Sequence, residues 1–180
     1  MKTFAWIRFM IKRIKPLIIL AVSTLSPLAH ADWITTTGED LFSSGRTAMM
    51  LGTTSSKAAL TFDCTKESLE INFVVEDSKL NIVNPMQLML VVKVDDNQPT
   101  RFEGSASRRN YKYIQVGTKE AGIKGSEGII SVIKQIQNAK EKFTVRVRFN
   151  ESGYKAAFSG NVRGATKATN DFINACEIKL

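Results

Sequence analysis

The stretch "SLEINFVV", residues 68–75, alternates apolar and polar side chains without a break: Leu69, Ile71, Phe73 and Val75 fall on one face, with Glu70 and Asn72 on the other. The same period recurs in "FTVRVRF", residues 143–149, where Phe143, Val145, Val147 and Phe149 share a face and Thr144, Arg146 and Arg148 share its opposite. A helix turns 100° per residue and would scatter these residues around its axis. A strand turns 180° and sorts them into a buried and a solvated face. Both segments therefore read as half-buried antiparallel strands.

"QLMLVVKV", residues 87–94, is apolar almost throughout and reads as a central strand, with a turn signal in the "DDNQP" that follows. A further strand is expected at "KAALTFDC", and weaker ones at "WITT", "RTAMMLG", "TRFEG" and "YKYIQVG". The turn "NESG", residues 150–153, joins the Phe143 strand to "YKAAFSG" as a hairpin. About eight strands with short turns imply a mainly β fold, an antiparallel β-sandwich or a curved sheet. Two helices interrupt it. In "SEGIISVIKQIQNAK" an apolar stripe runs through Ile129, Val132, Ile133 and Ile136. Between Asn161 and Cys176 the stripe is Val162, Ala165, Thr169, Phe172, Ile173 and Cys176, with Asn161 placed as the N-cap.

The first 31 residues are excluded from this domain. Lys12, Arg13 and Lys15 precede the apolar "PLIILAVSTLSPL", and Ala29, His30 and Ala31 follow it in the small-x-small pattern of signal-peptidase cleavage. The apolar run is shorter than the roughly 20 residues that span a bilayer, which favours a cleaved signal peptide over an anchor. A start at Met10 would give a tighter leader than Met1. The expected organisation is a signal peptide at 1–31 and one exported domain at 32–180, periplasmic or secreted, with no transmembrane segment after cleavage.

Cleavage changes the charge argument. Of 25 Lys and Arg residues, the five at Lys2, Arg8, Lys12, Arg13 and Lys15 lie in the leader, which has no acid; the remaining 20 face 17 acids, a net of +3 where the whole chain has +8. Whole-chain basicity is thus weak support for a nucleic-acid partner, and export argues against one. The single histidine, His30, also lies in the leader. A domain without histidine cannot run a Ser-His-Asp or Cys-His mechanism or build a His-containing zinc site. No catalytic residue, metal ligand or cofactor motif is assigned.

Cys64 and Cys176 are the only cysteines, and in an exported chain such a pair reads as a structural disulfide clamping the C-terminal helix to an early strand. The glycine-rich "FSGNVRGATK" lacks the G-x-x-x-x-G-K-[ST] spacing of a phosphate loop, since Gly160 and Gly164 are separated by three residues and Ala165 follows. Gly160 is read as a strand end, and Gly164 with Ala165 as a close approach of helix to sheet. An anion near Arg163 and Lys167, at the helix N-terminus, would occupy a weak site only. The acidic pairs Glu76 with Asp77 and Asp95 with Asp96 fall at turns and have no alternating ligand pattern for calcium.

"SASRRNYKY" interleaves Arg108, Arg109 and Lys112 with Tyr111 and Tyr113. Such a cluster either grips a polyanion or protein surface, or is an exposed loop whose charges protect an edge strand. Arg146 and Arg148, pointing outward from a neighbouring sheet, are expected to extend this face.

In its order of features the chain resembles the invasion-associated locus B type of small exported proteins of Gram-negative bacteria. The resemblance runs through the exported leader, Trp33, "MQLMLVVKVDD", the helix "GIISVIKQIQNAK", the strand "FTVRVRF" and "YKAAFSGNVRGATKA", and covers most of residues 33–175. The chain departs from that family in having only two cysteines and in its long C-terminal helix. The resemblance implies a β-sandwich that binds something outside the cytoplasm and carries over no catalytic residues. The function expected is therefore non-enzymatic binding of a protein or envelope polymer in envelope or host interaction. The alternatives are a periplasmic immunity or inhibitor protein that neutralises a toxin through an acidic turn such as Glu76 and Asp77, and a carboxylate-based hydrolase of an envelope glycan, which needs two acids roughly 5 to 10 Å apart in a cleft. The oligomeric state is not legible in the sequence.

Overall fold

The alternating segments pair into one continuous antiparallel sheet. The computed structural model describes residues 32–39, 45–77, 86–121, 126–149 and 155–180; the expected leader with His30, and the turn expected at 150–153, lie outside the described residues. The strands are β1 (Trp33–Glu39), β2 (Arg46–Ser55), β3 (Ala58–Cys64), β4 (Ser68–Glu76), β5 (Gln87–Val94), β6 (Thr100–Arg108), β7 (Tyr113–Ala121), β8 (Lys142–Phe149) and β9 (Lys155–Asn161), with helices α1 (Glu127–Gln137) and α2 (Ala165–Cys176). The sheet order is β1-β2-β3-β4-β7-β6-β5-β8-β9. The fold is mainly β with two packed helices, one of them C-terminal, as expected. Of the two β architectures the curved sheet is the one formed: the nine strands make a curled half-barrel, and among the described residues no second sheet opposes it.

Alternation decides what the curl encloses. Met50 of β2, Leu60 and Phe62 of β3, Ile71 and Phe73 of β4, Leu90 and Val92 of β5, and Phe143 and Val145 of β8 point into the concave side and are almost fully buried. The Phe149 side chain lies outside the described residues. Ile129, Val132, Ile133 and Ile136 of α1 and Ala165, Ala168, Thr169 and Phe172 of α2 complete the same core. A buried side chain of this size contributes about 1.5–3 kcal/mol relative to exposure, so the core rests on this one-sided burial.

The curl brings the two ends of the sheet together. Gly160 of β9 lies so near β2 that a Cβ there would stand 2.3 Å from the Thr53 carbonyl oxygen. Gly52 leaves room for the Trp33 indole in the same way, with a Cβ placed 2.3 Å from the ring. Trp33 packs edge-on against Phe143 at 4.9 Å between centroids, and its Nε1–H donates to the Asn161 carbonyl at 2.9 Å. The Asp32 and Trp33 amides both donate to the Arg163 carbonyl, and Arg163 pairs with Asp32 at 2.9 Å. The first strand is thereby fastened to the junction between β9 and α2.

That junction differs from the sequence reading in one respect. The N-cap of α2 is Gly164, at φ 84°, where glycine carries no Cβ penalty. Asn161 instead ends β9, and its side-chain oxygen accepts from the Arg163 amide at 3.0 Å, closing a turn before the helix starts. The disulfide forms as expected: Cys64 at the end of β3 and Cys176 at the last residue of α2 are bonded, with Cα atoms 6.2 Å apart.

Candidate functional site

The β6–β7 connection, which carries the basic and aromatic cluster, is built around Asn110. Its side-chain oxygen accepts from the amides of Lys112 and Tyr113, both at 2.9 Å, an Asx-type turn that fixes the loop from within. The Arg109 amide donates to the Tyr113 carbonyl at 3.0 Å, and the Arg108 guanidinium donates to the carbonyl of Asp77 at 3.3 Å. These contacts leave the Tyr111 side chain outermost, at 85% exposure the most exposed large apolar side chain among the described residues.

Arg109 is a different kind of residue from its neighbours. Its side chain runs back over the convex face of the sheet, across β7 and β4, and reaches Asp63 of β3. The two guanidinium nitrogens Nη1 and Nη2 donate to the two carboxylate oxygens at 3.0 and 2.6 Å. Gln115 accepts a further bond from Nη1 at 3.1 Å. Hydrogen bonding to Asp63 raises the Arg109 pKa further, outweighing the opposing effect of burial, so the cation is permanent. In the stretch that this strap crosses, Thr61 and Asn72 are almost fully buried although they belong to the outer face by register. Thr61 donates to Asp63, and the Asn72 amide lies 3.4 Å from both Asp63 and Glu70. Both oxygens of Asp63 are thus engaged.

Beside the strap, a groove of about 330 Å³ opens between the end of the β2–β3 hairpin and this loop. Met49, Leu51, Ala59 and Val74 give it an apolar floor, and Arg109 and Tyr113 stand at its rim. Lys112 lies 5.3 Å from the Tyr113 ring centroid and 3.7 Å from Glu76. Hydrogen bonding to Tyr113 first, and then the Glu76 charge, raise the Lys112 pKa. The acidic turn and the basic loop, separate in sequence, are therefore neighbours: Glu76 pairs in register with Tyr113, and the Asp77 amide donates to the Lys112 carbonyl at 3.1 Å.

One sequence expectation is revised. Arg146 and Arg148 lie on the same sheet as the loop, not on a neighbouring one, and two strands away from β6, since β8 pairs with β5 and β5 with β6. Arg148 is level with Glu103, about 17 Å along β6 from Arg108 at the usual strand rise, so the two arginines form no continuous face with the loop. The second pair of acids serves the backbone. Asp95, at φ 47°, accepts from the amides of Lys140, Glu141 and Lys142 at 2.8, 3.0 and 2.9 Å and so ties the β5–β6 turn to the entry of β8. Asp96 lies 3.8 Å from Lys93.

Among the described residues, no cluster of three or more His, Cys, Asp or Glu side chains is arranged to hold a metal ion, and no helix is long and apolar enough to cross a membrane. The α2 entry offers little to an anion: Arg163 pairs with Asp32, and Lys167 pairs with Asp171 at 2.6 Å. No protein-family model, curated protein or solved structure matches the chain.

Proposed function

We infer that the protein is an exported, non-enzymatic binding protein that engages a protein partner through the β6–β7 loop and the groove beside it. One observation carries this reading: a tyrosine that is 85% exposed stands on a loop already fixed by its own hydrogen bonds. An aromatic side chain held outward by a rigid backbone loses little conformational entropy on binding and supplies a large contact area, the combination typical of interface hot spots. The apolar floor of the groove gives a partner side chain somewhere to go, and the surrounding Arg108, Lys112 and Glu76 form a polar rim. The leader, the disulfide and the resemblance to the invasion-associated locus B type support export to an oxidising compartment.

A photo-crosslinking residue in place of Tyr111 tests this on the cell envelope and culture medium. The expected result is one discrete protein adduct, absent when the same residue replaces exposed Glu67 at the β3–β4 turn. Adducts that are the same from both positions would count against the loop as the binding face.

The toxin-neutralising reading is favoured by a separate observation, the contact of the acidic turn with the loop, which presents Glu76 beside Lys112 on one surface. In that case the captured partner is a toxin, and Glu76→Gln weakens its neutralisation while the protein stays folded.

A further inference from the structure

The strand register adds two further cations to the outward-facing pair of β8. Arg146 and Arg148 of β8 share the convex face with Arg101 of β6 and Lys155 of β9. Arg148 pairs with Lys155 on the adjacent strand, and Arg146 is level with Arg101 through Val91 of β5. All four are exposed, and none makes an ion pair among the described residues. Arg101 and Arg146 are two strand separations apart, about 10 Å, and Arg146 and Arg148 follow at about 7 Å along one strand. Among the described residues, Glu103 is the acid on this part of the face, and Met89 and Val91 between the strands are half-buried. Four like charges on adjoining positions of one face repel one another and are not placed there by the fold, whose core lies on the other side of the sheet.

We propose that this face, remote from the β6–β7 loop, is a docking surface for a linear anionic polysaccharide carrying one carboxylate on each sugar. Charge complementarity identifies an anion, and four cations spread over three strands match a partner with repeated charges better than a single phosphate or carboxylate. Curvature decides between a polymer and a membrane. The core fills the concave side, so this face is convex; a flat bilayer would touch it along a line, while a flexible chain follows the bend from β9 to β6. The apolar stems of Met89 and Val91 provide a surface for sugar ring faces between the charged contacts.

The test compares binding of the full chain to a polygalacturonate fragment, to neutral dextran and to phosphatidylglycerol vesicles by calorimetry. The triple variant R101Q/R146Q/R148Q is measured beside the loop variant Y111A/K112A. Polygalacturonate is expected to bind, dextran and vesicles not. The triple variant should bind about 30-fold more weakly, on the scale of three exposed ion pairs, and the loop variant within about twofold of the native protein. The charge-conserving R146K/R148K should retain most of the affinity, and raised salt should weaken binding of the native chain more than of the triple variant. Equal affinity of the triple and native proteins, loss of affinity in the loop variant instead, or binding to vesicles but not to polygalacturonate would each overturn the proposal. The loop variant also separates the two surfaces, since failure here leaves protein capture at Tyr111 unaffected.

Discussion

The Gly160 backbone packs against the Thr53 carbonyl, at a point where a Cβ would lie 2.3 Å from the oxygen and 2.5 Å from the Phe143 ring. This contact is one of those that bring the last strand against the second, beside the Trp33 and Asp32 contacts with Asn161 and Arg163. The atoms a methyl group would meet are a backbone oxygen and a ring already held by Trp33, so neither can withdraw freely. Gly160→Ala is expected to cost about 1–3 kcal/mol, the range for overpacking a well-filled core. Urea denaturation checks this, with Ala157→Ser on the outward face of the same strand as the near-neutral comparison.

The Cys64–Cys176 bond closes a loop of 112 residues between the end of β3 and the end of α2. Cross-linking a loop of this length removes denatured-state entropy worth up to about 4–5 kcal/mol in the chain-entropy model. Cys176→Ser is therefore expected to lower the melting temperature under oxidising conditions and to abolish its dependence on reductant. Phe172, packed edge-on against Phe62 at 6.4 Å between centroids, remains to hold the helix, so the fold persists with α2 loosened at its C-terminal turn. A melting temperature equal to that of the oxidised native protein would refute the clamp.

How much of this was legible in the sequence follows from what alternation encodes. A period of two says which face of a strand is buried, and Leu69 to Val75 and Phe143 to Val147 all point where the pattern placed them. It says nothing about which strand lies alongside. The order β4-β7-β6-β5-β8 depends on pairings between segments dozens of residues apart, and with it goes the sorting of cations: Arg109 to Asp63, Arg146 to Arg101. Local chemistry misled in a smaller way at Asn161, a good N-cap residue by type. The glycine three residues later can adopt a positive φ, and the chain uses that freedom to turn from β9 into α2 before the helix begins. The exposed tyrosine is visible in the sequence, but the rigidity of its loop comes from Asn110, whose turn-forming role is hidden between Arg109 and Tyr111 in a segment that reads as a charge cluster.

Arg109 and Asp63 are each about three-quarters buried, with side chains 25% exposed, and they exchange two hydrogen bonds. Such a pair gains little net energy from its formation but leaves a poorly solvated charge when halved. Arg109→Ala is expected to destabilise the protein by about 1–3 kcal/mol, while the double variant Arg109→Ala with Asp63→Ala recovers part of that loss. Chemical denaturation of the two single variants and the double gives the coupling directly. A coupling near zero would show that Arg109 is free to serve the loop's binding surface instead of bracing the sheet.

Asp95 makes the stability depend on pH in a predictable direction. Burial would raise its pKa, but the amide donors of Lys140, Lys142 and Glu141, with the Lys140 charge, outweigh that and hold it below the ordinary 3.8. A carboxylate more acidic in the folded than in the unfolded state contributes stability that is fully present well above pH 3.8, because both states are then ionised and only the folded one has the amide partners. As pH falls below the ordinary value, the unfolded chain takes up the proton first. The contribution then shrinks, and it is gone once pH has passed the folded-state pKa. Asp95→Asn keeps an acceptor oxygen and tolerates the positive φ but has no charge to titrate. Its stability should be lower than native at neutral pH and should fall less steeply between pH 3.8 and the acid limit of folding, so that the two curves converge. Parallel curves over that interval would mean that the three amides find Asp95 no better a partner when it is charged.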